Sequence, residues 1–89
     1  MYEIVITESY RKRALKFFKK HPELKDKYKK TFMLLRIDPF HKVLDCKKMK
    51  GHSELYRIRL TANTRIVIEI VFKKNQIIPV DINTREHIY

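Results

Sequence analysis

Arginines stand in the last third of the chain at spacings that a β-strand turns into chemistry: Tyr56-Arg57-Ile58-Arg59-Leu60, Thr64-Arg65-Ile66-Val67-Ile68, and a terminal Thr84-Arg85-Glu86-His87-Ile88-Tyr89. Alternation along a strand sends Tyr56, Ile58 and Leu60 to one face and sets Arg57 and Arg59 side by side on the other. Like charges that close repel, so the pattern makes sense when an anion lies across them, and a phosphate chain offers the oxygens that a guanidinium fork fits. Cleaving RNA through its own 2′-hydroxyl needs a base for that hydroxyl, an acid for the leaving 5′-oxygen, and cations for the charge that builds on phosphorus. Arg57, Arg59, Arg65 and Arg85 are candidates for the cations. A phenol titrates near about 10 and an imidazole near about 6.5, so Tyr89 is a candidate proton donor and His87 suits acid or base work at neutral pH. Residue types leave the division of labour between Tyr89 and His87 open.

Whether Arg65 joins the other arginines depends on the hairpin between them. A connection of odd length sets it across from or diagonal to Arg59, and one of even length sends it to the opposite face. Only the odd register brings Ile66, Ile68 and Ile70 onto the face of Ile58 and Leu60, so burial of one continuous apolar face favours clustered arginines.

The elements that must hold these strands follow from periodicity. Tyr2, Ile4 and Ile6 alternate as a short opening strand. Thr7 or Ser9 caps a helix running to about Lys20, with Tyr10, Ala14, Phe17 and Phe18 at helical spacing and Leu15 widening the stripe. His21-Pro22 ends it, and Pro22 with Glu23 and Asp26 suits the first turn of a second helix. Leu24, Tyr28, Phe32 and Leu35 carry the second stripe to Ile37, where Asp38-Pro39 stops it. Residues 11 to 30 hold ten Lys or Arg and two acids, so the helical hairpin has one apolar side and one very basic side. That basic side reads either as a solvated face or as a surface that tracks phosphates. From Phe40 to Glu54 the pattern is irregular and contains Lys42, Lys47, Lys48, Lys50 and the single glycine, Gly51. Three strands follow at about 55 to 61, 64 to 72 and 76 to 82. They turn at Ala62-Asn63 and Lys73-Lys74-Asn75, each with an Asn for a left-handed position, and Pro79 belongs at an edge or a bulge. The expected fold is a single α+β domain over residues 1–89: an N-terminal strand, a two-helix hairpin, then three antiparallel strands in a small sheet packed on the helices.

Composition supports the same chemistry. The 89 residues carry a net charge of +11 and a pI near 10.0, which draws the chain to polyanions, nucleic acid first. No short-spaced ligand pairs occur among His21, His41, His52, His87 and Cys46, and no glycine-rich phosphate loop exists, so neither a metal nor a cofactor is called for. Cys46 has no identifiable base partner. No signal peptide and no membrane span is apparent, and with one cysteine the expected setting is the cytoplasm.

The order of elements, the lysine-rich loop reaching Lys50-Gly51, Leu55-Tyr56-Arg57-Ile58-Arg59-Leu60, Arg65-Ile66-Val67 and the closing Arg85-Glu86-His87-Ile88-Tyr89 resemble the RelE/ParE toxin superfamily over nearly the whole chain. The specific part of the resemblance is the second half. It implies a small antiparallel-rich sheet on a helical hairpin and, for the RelE branch, metal-free cleavage of mRNA in the ribosomal A site, silenced by a cognate acidic antitoxin. Carried onto this sequence, it implies that Arg57 and Arg59, with Lys48 and Lys50 beside them, bind RNA phosphates. It implies that Arg65 holds the scissile phosphate, that Arg85 stabilises the transition state, and that Tyr89 serves the base and the chemical step. His87 either works as acid or base or fills the spacing. The chain departs from the pattern with Ala62-Asn63-Thr64 where relatives often carry Gly or Ser, with Asn83 where Gly is frequent, and with a shorter Arg85 to Tyr89 spacing. Two alternatives stand beside it: a ParE-like inhibitor of DNA gyrase, a branch that usually lacks this full basic-plus-tyrosine set, and a non-enzymatic nucleic-acid-binding module.

Overall fold

Local rules set both helices. In the computed structural model, which describes residues 1–52 and 54–84, the chain runs β1 (Glu3–Ile4), α1 (Glu8–Lys20), α2 (Lys25–Ile37), β2 (Lys47–Lys48), β3 (Leu55–Thr61), β4 (Thr64–Val71) and β5 (Gln76–Thr84). Arg85, His87 and Tyr89 lie outside the described residues. The Thr7 hydroxyl accepts the Tyr10 N–H at 3.1 Å, satisfying one of the donors that a helix start leaves over. Pro22 opens a single 3₁₀ turn, Pro22–Leu24, that leads into α2. Asp38, the residue before Pro39, is extended at φ −154 and ψ 96 and closes α2, as the proline demands.

The sheet has five strands in the order β1-β5-β4-β3-β2. β1 runs parallel to β5, and the other neighbours are antiparallel, so the sheet is mixed. The expected opening strand shrinks to two residues, and the segment expected to be irregular contributes β2, anchored by Leu44, which is buried at 1% exposure. One sheet face carries Ile58, Leu60, Ile66, Ile68, Ile70, Ile77 and Ile82 into a core shared with Tyr10, Phe17, Phe18 and Leu35. Each such side chain contributes roughly 1.5–3 kcal/mol when fully buried. The phenol oxygens of Tyr10 and Tyr28 lie 2.6 Å apart and tie the helices together. Burial is the first cause that pushes both phenols above their ordinary range.

β5 keeps its apolar residues in the core by a bulge. Pairing passes from Val67 opposite Asp81 to Ile68 opposite Pro79, so Val80 is an extra residue and Ile82 returns to the side that Ile77 occupies. Pro79 sits beside that bulge and beyond Ile77, the last residue paired with β1, where its missing N–H takes no ladder bond from that neighbour. Asp81 meets Arg13 of α1 at 3.5 Å. Leu15 departs from expectation. It lies about 100° around the helix from Ala14, past the buried arc, and remains 52% exposed.

Candidate nucleic-acid interface

The face of the sheet away from the helices collects the arginines. Arg59 pairs directly with Arg65, and Arg57 with Val67. Residues directly opposite share a face with Cβ atoms about 5 Å apart. Arg65 also stands across from Asn83, and Arg57 across from Lys47. Two cross-strand rows result: Arg59, Arg65 and Asn83 in one, and Lys47, Arg57, Val67 and Asp81 in the other. Arg59 is exposed and Arg57 half-buried.

The register is the odd one, but the turn is not. β3 and β4 join through only Ala62 and Asn63, with Thr61 opposite Thr64. An even loop by itself sends Arg65 to the other face. A shift in register between Arg59 and Thr61 supplies the missing residue. The turn achieves this without a left-handed residue at Asn63. Among described non-glycine residues positive φ occurs only at Asp45 and at Asn75 (φ 52), in the second turn. Arg65 compensates: its Nη1 donates to the carbonyl oxygens of Thr61 at 2.7 Å, Thr64 at 3.2 Å and Ala62 at 3.3 Å. The side chain is accordingly 8% exposed. This one arginine therefore holds the turn and places a fixed charge in the row.

Of the sequence candidates, Arg57, Arg59 and Arg65 come together. Lys48 instead pairs with Tyr56, on the face of the core strands. Lys50 is exposed in the turn after β2, where Gly51 takes φ +81. Lys47 and Asn83 enter the rows unanticipated. No local motif points to Lys47, because a two-residue strand has no apolar alternation to read. A cleft of about 490 Å³ lies between α1 and the end of β5, lined by Arg13, Lys16, Lys20, His21, Asn83 and Thr84 among others, and it places helical cations beside the Asn83 end of the row. Cys46 carries no nucleophile at neutral pH. Burial, then the nearby Asp45 carboxylate, pushes its thiol from 9.0 to about 11, so it stays protonated.

Solved structures of toxins share this architecture from end to end. A metal-bound toxin from Helicobacter pylori aligns over 100% of both chains with a TM-score of 0.76 at 19% identity. The DinJ-YafQ toxin-antitoxin complex of E. coli gives a TM-score of 0.79 at 15% identity, over 99% of this chain and 97% of that one. The archaeal RelE-RelB complex from Pyrococcus horikoshii gives 0.74 at 23% identity, over 94% of each. The chain has the RelE-type toxin fold. No protein-family model matches the sequence, and no curated protein does. The likeness to RelE-type toxins thus lives in the arrangement of strands and helices at identities where sequence comparison alone is silent. The arginine rows occupy the sheet face of that RelE-type fold, opposite the helical hairpin.

Proposed function

We propose that this chain is the toxin of a type II toxin-antitoxin system, an endoribonuclease that cuts mRNA in the ribosomal A site. The observation that carries the reading is the direct pairing of Arg59 with Arg65, with Arg57 beside them on the same face. Three arginines set on one sheet face by strand pairing offer guanidinium forks that suit the oxygens of a phosphate chain. The toxin complexes that share the fold support the class of activity.

In the proposed reaction the RNA 2′-hydroxyl gives its proton to a base and its oxygen attacks phosphorus. The bond to the 5′-oxygen breaks as that oxygen takes a proton, leaving a 5′-hydroxyl and a 2′,3′-cyclic phosphate, which water can then open to a 3′-phosphate. Arg57 and Arg59 hold the phosphates on either side. Arg65 meets the scissile phosphate with a guanidinium already pinned through Nη1, so its charge costs no reorganisation when the phosphorane forms. Arg85 adds transition-state charge, and Tyr89 and His87 share stacking and proton transfer. Lys50 and the lysines of the hairpin attract the ribosome and its RNA, and an acidic antitoxin holds the toxin silent.

Primer extension on mRNA from cells expressing the chain tests this. Cuts within codons in the A site are the expected result. DNA damage without cuts overturns the reading in favour of gyrase poisoning, and the absence of both overturns it in favour of a binding module.

A further inference from the structure

Phe40, Tyr56 and Phe72 come from three separate parts of the chain and meet ring to ring. Tyr56 sets its edge against both phenylalanines, with ring centroids 5.8 Å from Phe40 and 6.4 Å from Phe72. The two phenylalanine rings are 6.1 Å apart and nearly parallel, at 7°. Tyr56 packs on the core and serves as the floor. Phe40 remains 50% exposed and Phe72 49%.

Both exposed rings are held out by ordered backbone. The Asp38 carboxylate accepts the Phe40 N–H at 3.0 Å, and the Asp38 carbonyl accepts the His41 N–H at 3.1 Å, with Pro39 fixed between them. The Phe72 carbonyl accepts the Asn75 N–H at 3.2 Å, and Asn75 takes the left-handed φ of 52 that closes the turn. A turn built only to reverse the chain has no need of a phenylalanine in water. Two such rings held parallel make an apolar patch for a flat partner.

Lysines edge the patch. Lys48 stands opposite Tyr56, Lys73 and Lys74 follow Phe72, and Lys42 comes two residues after Phe40. Against them stand Asp38, already turned to the Phe40 N–H, and Glu54. An unpaired nucleobase fits this chemistry, because it lays a π-face on the rings while its own phosphates meet the lysines. A second copy of this chain, at +11, sets lysine against lysine. An acidic peptide brings the charge without the flat face.

The edge of the sheet joins this patch to the arginine rows. β2 is the outermost strand, with Lys47 opposite Arg57 on one face and Lys48 opposite Tyr56 on the other. Successive residues of a strand are only about 3.3 Å apart. A single strand held by Lys47 and Arg57 therefore has a two-residue edge to cross before its bases reach Phe40 and Phe72.

We propose that Phe40, Tyr56 and Phe72 form a stacking platform for an unpaired base of single-stranded RNA that passes over β2 from the arginine rows. The platform stands on its own geometry. That the strand is the mRNA being cut rests on the function proposed above.

The test uses the full chain and a 2′-O-methyl RNA of about ten nucleotides, which the proposed chemistry cannot cut. A control strand has the same length and charge but no bases. In fluorescence anisotropy, Phe40→Leu and Phe72→Leu, which keep apolar bulk but lose the ring, are each expected to weaken binding of the base-bearing strand about tenfold. Their salt slope should stay parental, whereas Lys48→Gln lowers it by about one. Phe72→Tyr keeps the ring and should bind like the parent, and no Leu variant should bind the abasic strand differently. NMR on the unsubstituted chain gives a second readout that needs no variant: the Phe40 and Phe72 ring signals should shift with the base-bearing strand and not with the abasic one. Parental affinity in both Leu variants, an equal loss for the abasic strand, or ring signals that ignore the bases overturns the proposal. So does self-association that the Leu variants abolish, or an acidic peptide that shifts the same ring signals and displaces the RNA. A chain that makes no cuts in primer extension yet shows the base-dependent shifts keeps the platform and loses the nuclease. One that cuts without those shifts does the reverse.

Discussion

The helical hairpin and the sheet face are both strongly cationic, yet they hold their charge in opposite ways. On α1 and α2 the cations are mostly lysines at exposed positions, on flexible stems that fan into water. On the sheet they are arginines whose places are set by cross-strand pairing, and one of them is bonded to three carbonyl oxygens. The hairpin supplies attraction that any polyanion feels and salt weakens. The sheet supplies a pattern, with arginines placed on one face by strand pairing. Charge density therefore points away from the proposed site. The densest stretch is residues 11 to 30, while the organised charge sits on three strand residues with far fewer neighbours of like sign in sequence.

The sharpest way to break this contrast is Arg59→Ala. Arg59 has an exposed side chain, so the variant should melt like the parent while mRNA cleavage falls by about a hundredfold or more. Parental cleavage rates in primer extension would dissolve the distinction between sheet and hairpin. Arg65→Ala comes next and should differ in kind. Losing the three turn bonds should cost about 1–3 kcal/mol and lower the melting temperature by roughly 5–15 °C, with cleavage lost as well. Arg65→Lys should keep the charge but not the turn bonds, and calorimetry on both variants separates the two roles.

Alkali probes the hairpin from beneath. Below pH 10 the Tyr10 and Tyr28 phenols are protonated whether the chain is folded or not. Above it the unfolded chain ionises while burial keeps the folded phenols neutral, so stability is full below about pH 10 and falls as pH rises. The slope for Tyr10 reaches about 1.4 kcal/mol per pH unit, and Cys46 adds a loss of the same sign between 9.0 and about 11. Urea midpoints at rising pH should show the decline, and Tyr28→Phe should make it shallower. The smallest effects belong to single lysines. Lys19→Gln or Lys29→Gln should change stability by less than about 0.5 kcal/mol and should lower the salt slope of RNA binding by about one.

The helices were legible because their signals are local: Thr7 as a cap, Pro22 at a start, Asp38-Pro39 as a stop. The clustering of Arg57, Arg59 and Arg65 was legible for a different reason, since Ile66, Ile68 and Ile70 can reach the core only in one register. The route to that register was not. The two-residue turn at Ala62-Asn63 was legible, but nothing in it announces the bulge behind it, because the device depends on Arg65 reaching back to carbonyls that a sequence does not display. β2 was invisible because two lysines on a sheet edge look like any polar loop, and only their pairing with Arg57 and Tyr56 defines them. Leu15 was read as core because it borders the apolar stripe. Its exposure depends on where α1 crosses the sheet, which periodicity does not specify.

The bulge before the β3–β4 turn also couples the charged face to the register of the core. Arg65 shares its strand with Ile66, Ile68 and Ile70, all of them buried at 1% exposure or less. A chain that slipped by one residue would turn those isoleucines to water, forfeiting roughly 1.5–3 kcal/mol apiece. The oil side of the sheet thus sets the register that gathers the charged side. The isoleucines, and not the arginines themselves, hold Arg57, Arg59 and Arg65 on one face.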